Sequence, residues 1–243
     1  PATFYGGPIS ATWDLSKKLA EKGIEVYVST TNANGSKKLD VECNKYLKKE
    51  VNVFVKYYNE QIINKFSVSF IFGIWSDIKK SDIVYIQYIF HYTVFFSLLF
   101  SVFQKKKVVL CPRGSLSLWG LSYKYKWIKM IWLSVFIRPF VKNIIWQACS
   151  YLEFNDIRNI FNKSKIVEIN DGIDFAYFQD SEKISKLELI NRFSDQDFQI
   201  VSVVFFSMGR LHKIKGFDVL IDAFNLFLEK DKHAKLIIAG GDD

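Results

Sequence analysis

The chain has 243 residues, of which 49% are hydrophobic, 17% aromatic and 24% charged. That composition supplies ample apolar surface for a core and excludes an intrinsically disordered chain. The net charge of +8 fits an anionic partner, but there is no zinc-ligand spacing, RNP-like signature or helix-turn-helix pattern, so nucleic acid is not expected as that partner.

The basicity is local. Residues 83 to 152 hold nine Lys or Arg and no Asp or Glu, so the rest of the chain nets −1. Within this stretch Lys124, Lys126, Lys129, Arg138 and Lys142 alternate with Trp119, Tyr123, Tyr125, Trp127, Trp132, Phe136 and Trp146. A field of one sign beside amphipathic aromatics suits an anionic membrane surface or substrate. The competing reading is a solvated basic face. Cys43, Cys111 and Cys149 are odd in number and far apart in sequence, and read as reduced thiols of a cytosolic protein.

In chain order, Tyr5-Gly6-Gly7-Pro8 is a loop, and Ser10 can cap a helix running to about Lys22. Gly23 ends that helix, and Ile24 to Thr30 is a strand. Val51 to Val55 is a further candidate strand. Ile83 to Gln104 is long enough and apolar enough to be considered as a membrane span. Its polar and tyrosine residues favour division into a strand at 83–88 and a core helix to Phe103. Lys107 to Cys111 is the next strand.

Lys124 to Trp146 reads as one long amphipathic helix, kinked or divided at Pro139. Ala148 to Tyr151 is strand-like, Glu153 opens a helix, and Lys165 to Ile169 is a strand ending at Asn170-Asp171-Gly172. Residues 179–199 are polar and read as a linker with a short helix at 184–193. A fresh unit follows. It comprises a strand at 200–206, a loop from Gly209 to Gly216, a helix from Phe217 to Lys230 and a strand from Leu236 to Ala239. Alternating strands and helices predict parallel sheets of an α/β fold.

The sharpest motif is Gly209-Arg210-Leu211-His212-Lys213-Ile214-Lys215-Gly216 between a strand and a helix. Past the carboxyl end of a parallel strand, ligands meet backbone amides and a helix N-terminus. Arg210 offers a planar fork of donors and Lys215 a point charge, which together could hold a diphosphate. The alternative is a basic surface turn.

This motif, followed by Asp218, Leu220, Ile221 and Ala223 and then Leu236-Ile237-Ile238-Ala239-Gly240, resembles the family 4 glycosyltransferases. Gly6-Gly7, Lys22-Gly23-Ile24-Glu25-Val26, Pro112-Arg113-Gly114-Ser115-Leu116 with Trp119, Ser150 with Glu153, and Asp171-Gly172-Ile173-Asp174 extend the resemblance in order along the chain. It departs from the family's usual Pro-Asn-Gly at Asn170-Asp171-Gly172, a turn that Asp tolerates much as Asn does. The family's first strand is expected ahead of Pro1. Its donor-domain glutamate pair is expected beyond Asp243, so the chain reads as truncated at both ends and inactive alone.

The resemblance implies a GT-B fold of two facing Rossmann-like domains. Residues 1–178 would be the acceptor-side domain, 179–199 the linker, and 200–243 the start of the nucleotide-sugar-binding domain. It implies a retaining glycosyltransferase that moves a sugar from a nucleotide diphosphate sugar to a glycan or lipid-linked acceptor. The setting would be bacterial surface polysaccharide or lipopolysaccharide synthesis, with the protein peripheral at the cytoplasmic face of the inner membrane. Arg210 and Lys215 would be catalytic and donor-binding, stabilising the leaving diphosphate in place of a metal, with no cofactor. Gly6 and Gly7 would approach the donor phosphates, and Arg113 and His91 would face the acceptor, with His91 also catalytic. The alternatives are a GT-B sugar-nucleotide epimerase or phosphorylase and an inactive anionic-membrane or polysaccharide-binding module.

Overall fold

The structure is a computed structural model. It describes residues 2, 6–61, 66–173 and 203–241, together with 179, 184, 185, 188 and 192. The expected helix at 184–193 lies largely outside the described residues. The chain divides into two compact units, Pro1–Ile173 and Asp174–Asp243.

In the first unit helix α1 (Gly7–Glu21) precedes strand β1 (Val26–Thr31). The small antiparallel hairpin β2 (Ala33–Asn34) and β3 (Lys37–Lys38) follows. Strands β4 (Tyr46–Glu50) and β5 (Val53–Tyr58) complete a three-stranded sheet in the order β1-β5-β4. Here β1 and β5 run parallel and β4 antiparallel, so this sheet is mixed rather than wholly parallel. The β4–β5 turn uses Asn52 in the left-handed region (φ 59), which Asn tolerates better than most residues.

Helix α2 (Val68–Lys80) is capped by Ser67, whose hydroxyl accepts from the Phe70 amide. It buries Phe70, Ile74 and Ile78 against Tyr58. Gly73 sits where a Cβ would run into the Tyr58 ring, so helix and strand meet at a glycine.

The second sheet of this unit is parallel, in the order β6-β7-β8-β9 (Ile83–Gln87, Lys107–Cys111, Ile144–Ala148, Lys165–Glu168). Its register aligns Gln87 with Cys111, Leu110 with Trp146, and Ala148 with Glu168. The carboxyl ends of all four strands therefore lie at one edge. Helices α3 (Tyr92–Phe103) and α6 (Tyr151–Ile160) complete the layer, with the short α4 (Leu118–Ser122) between them in sequence. The core joins Ile86, Leu110 and Trp146 of the sheet to Val94 and Leu98 of α3, Leu133, Ile137 and Ile157. Among the described residues β1 pairs only with β5, and β6 only with β7.

Several sequence expectations are corrected. Residues 124–146 do not form one long helix. They give α5 (Lys126–Trp132), a π-helical turn Leu133–Ile137, 3₁₀ turns Arg138–Asn143 and the start of β8. Pro139 sits near the start of the 3₁₀ segment, where its missing N–H leaves no helical bond broken. The strand expected at 148–151 is therefore β8 at 144–148. Ile83–Gln104 divides into β6 and α3, and no helix among the described residues is long and apolar enough to cross a membrane.

The second unit contains β10 (Val204–Met208), helix α7 (Phe217–Leu228) and β11 (Lys235–Ala239). The two strands pair in parallel. Phe205 packs edge-on against Phe224 and Phe227 of α7.

Candidate functional site

The carboxyl edge of the parallel sheet carries a cleft of about 460 Å³. Gly7, Pro8 and Ala11 of α1 form one wall, and Arg113, Gly114, Cys149, Ser150, Glu153 and Asp171 form the rest. The turn after β7 is unusual. Arg113 (φ 56) and Gly114 (φ 72) both occupy the left-handed region. For Arg this costs about 1 kcal/mol or more, so other contacts must hold it there.

Those contacts are visible. Arg113 Nε donates to Gln87 Oε1 (3.1 Å), and Nη1 approaches Cys149 Sγ (3.4 Å) and pairs with the Asp171 carboxylate. The counter-ion of Arg113 is thus Asp171. Glu153 is 5% exposed and serves the backbone instead, accepting from the Gly114 and Cys149 amides at 2.7 Å each. Its position follows from Ser150-x-x-Glu153, a capping-box spacing in which the Ser150 hydroxyl accepts from the Glu153 amide. One carboxylate thereby ties the β7 turn to the start of α6.

The electrostatics of this cleft favour a charged Arg113. Burial opposes that charge, but the Asp171 carboxylate and the two thiols outweigh it and hold the guanidinium pKa above its ordinary value. Burial, then the neighbouring Cys111, pushes the Cys149 thiol up. The buried Arg113 Nη2 and Gln87 Nε2 have no hydrogen-bond partner among the described residues. Buried donors left so are costly, and two together mark a place for an acceptor-rich ligand or water.

Gly7 lines this cleft and Gly6 directly precedes it, but not as a loop. Gly6 is the N-cap of α1 with φ 68 and ψ −145, a conformation that only glycine adopts easily, and Gly7 is the first helical residue. The helix therefore starts earlier than the expected cap at Ser10. His91 is not among the cleft's lining residues. It is the N-cap residue of α3, with Nδ1 2.8 Å from Thr93 Oγ1 and its ring against Tyr92.

In the second unit the loop Gly209–Gly216 connects the carboxyl end of β10 to the N-terminus of α7. The Gly209 amide donates to Ala239 O (2.9 Å) and the Leu211 amide to Gly241 O (2.9 Å). A Cβ at Gly240 would overlap the Gly209 carbonyl, so the loops after β10 and β11 meet backbone to backbone. Arg210 and Lys215 are both exposed. The Lys215 methylenes lie 3.6 Å from where a Gly209 Cβ would stand. Gly216 (φ 65) turns the chain into α7, whose first turn also holds Asp218.

The basic aromatic segment is solvent-facing over much of its length. Leu118, Tyr125 and Trp127 are 85%, 69% and 67% exposed, and Ile131 and Val135 are exposed too. Lys124, Lys126, Arg138 and Lys142 are exposed. Lys129 differs, because it is half-buried and its Nζ donates to the Gly120 carbonyl (2.6 Å).

Cys149, Glu153 and Asp171 line the first cleft and Gln87 braces Arg113, without having been singled out as site residues. Only Glu153 carried a local signal, the Ser150-x-x-Glu153 spacing. No protein-family model matches the sequence, and no curated protein matches it.

Proposed function

We propose that the protein is a GT-B-type retaining glycosyltransferase, or part of one, that uses a nucleotide diphosphate sugar. The observation that carries this reading is the loop Gly209–Gly216. It leaves a parallel strand, enters a 12-residue helix and displays Arg210 and Lys215 in solvent. The amides and dipole of α7's first turn add to these cations in attracting phosphate. Breaking a glycosidic bond to a nucleoside diphosphate puts negative charge on the leaving oxygen. A guanidinium and an ammonium held beside that oxygen would lower the barrier by a few kcal/mol. The resemblance to family 4 glycosyltransferases supports this assignment of roles.

In the first unit the Arg113 cleft is the proposed acceptor subsite, with Arg113 Nη2 and Gln87 Nε2 as unused donors. His91 stays a proposed acceptor-side residue only through the resemblance. A nucleoside diphosphate should raise the melting temperature in proportion to RT ln(1 + [L]/Kd). No shift at millimolar ligand would count against the reading.

A second element of the proposal is attachment to an anionic membrane face. It is favoured by the large exposed apolar side chains Leu118, Tyr125, Trp127 and Ile131 among exposed lysines. Each basic residue near such a surface contributes about 1 kcal/mol. Sedimentation with anionic vesicles at low salt should pellet the protein. Replacing Lys124 and Lys126 with Glu should release it, while neutral vesicles bind it weakly throughout. Wild-type protein that stays in solution with anionic vesicles contradicts this element and leaves the non-enzyme membrane-module alternative without support.

A further inference from the structure

Cys111 and Cys149 are 38 residues apart in sequence, yet their sulfurs lie 3.3 Å from one another. Cys111 is the last residue of β7 and is fully buried. Cys149 follows β8 directly, is half-buried and lines the cleft. A disulfide requires an S–S distance near 2.05 Å, so the sulfurs need to close by only about 1.3 Å. Neighbouring parallel strands already fix both backbones.

We propose that Cys111 and Cys149 are a thiol pair that closes to an intrachain disulfide when a small-molecule disulfide enters the cleft. The chemistry assigns a distinct role to each sulfur. Cys149, facing the cleft, loses its proton and attacks one sulfur of the small disulfide. A mixed disulfide forms and one small thiolate leaves. Cys111 then gives up its proton and attacks the Cys149 sulfur, expelling the second small thiolate. Two protein thiols are oxidised, one small disulfide is reduced to two thiols, and the two protons pass to the leaving groups.

The environment supports this assignment over a metal site. Cys111, Cys149 and Glu153 bring three ligand atoms within 4.8 Å of one another. However, both Glu153 oxygens are already engaged by backbone amides, and the Arg113 cation touches Cys149 and repels a second cation. The same cation stabilises a transient Cys149 thiolate. The groups that face the pair are Tyr85 of β6, Arg113 after β7, Glu153 of α6 and Asp171 after β9. Burial raises the pKa of both thiols, so they are protonated at neutral pH and closure quickens as pH rises. Closure draws Cys149 Sγ toward the core. It also removes the S–H that faces Asp171 at 3.8 Å, altering the wall that positions Arg113. This inference does not depend on the glycosyltransferase reading.

The test is incubation of the wild-type chain with oxidised glutathione, followed by alkylation in denaturant and peptide mapping by mass spectrometry. The expected product links Cys111 to Cys149 and leaves Cys43 free, and dithiothreitol reverses it. Closure at pH 8 should run about tenfold faster than at pH 7, because the thiolate is the nucleophile. In Cys111→Ser, glutathione should remain attached at Cys149 because no second thiol displaces it. Three alkylatable thiols in the treated wild type would overturn the proposal. So would glutathione retained on wild-type Cys149.

Discussion

Arg113 and Arg210 both stand just past the carboxyl end of a parallel strand, and they are held in opposite ways. The Arg113 side chain is 7% exposed and contacts Gln87, Cys149 and Asp171 in a left-handed turn. Arg210 is exposed, on a loop defined by backbone contacts to Ala239 and Gly241. In the first case side chains position the arginine. In the second, backbone contacts position the loop and the arginine is exposed. A buried, pre-paired guanidinium suits a fixed, selective contact, because Gln87, Cys149 and Asp171 leave few of its donors free. An exposed one suits a charged ligand that arrives and leaves with each turnover.

The sharpest way to break the first arrangement is Glu153→Ala. It removes two charge-assisted bonds to the Gly114 and Cys149 amides, each worth roughly 1.5–3 kcal/mol. Denaturant unfolding should show a loss of about 3 kcal/mol or more, with Arg113 released from its turn. A loss under about 1 kcal/mol would mean that Glu153 does not organise the cleft.

The matching variant on the other side is Gly240→Ala. Its methyl group would collide with the Gly209 carbonyl, which is backbone and cannot swing aside. Overpacking of this kind costs about 1–3 kcal/mol. The expected outcome is a lower melting temperature for the second unit and weaker nucleotide binding, from a residue with no side chain of its own. Unchanged stability would show that the two loops do not meet as described.

The same contrast explains what could be read from sequence. The β6–α3–β7 run was legible because its apolar stretches are separated by short polar breaks. The loop Gly209–Gly216 was legible because its donors are contiguous. Helix α2 was missed although its buried Phe70, Ile74 and Ile78 keep a helical spacing, because Gly73 in its middle weighs against a helix. Strand β4 was hidden by Lys48, Lys49 and Glu50, which an edge strand can carry on its open side. The end of the 124–146 segment was misread because Ile144–Trp146 continues a helical spacing, while the register with β7 makes it a strand. The pairings Cys111–Cys149 and Arg113–Asp171 span 38 and 58 residues. Nothing local announces either of them, since sheet order alone creates them.

In the proposed enzyme the exposed arginine, not the buried one, binds the donor diphosphate. Calorimetric titration of a nucleoside diphosphate into wild type, Arg210→Ala and Arg113→Ala tests it most directly. A charge-assisted phosphate contact is worth roughly 1.5–3 kcal/mol, about a 10- to 100-fold change in Kd. A loss of that size is expected in Arg210→Ala, with near wild-type affinity in Arg113→Ala. Full affinity in Arg210→Ala, or its collapse in Arg113→Ala alone, would contradict it.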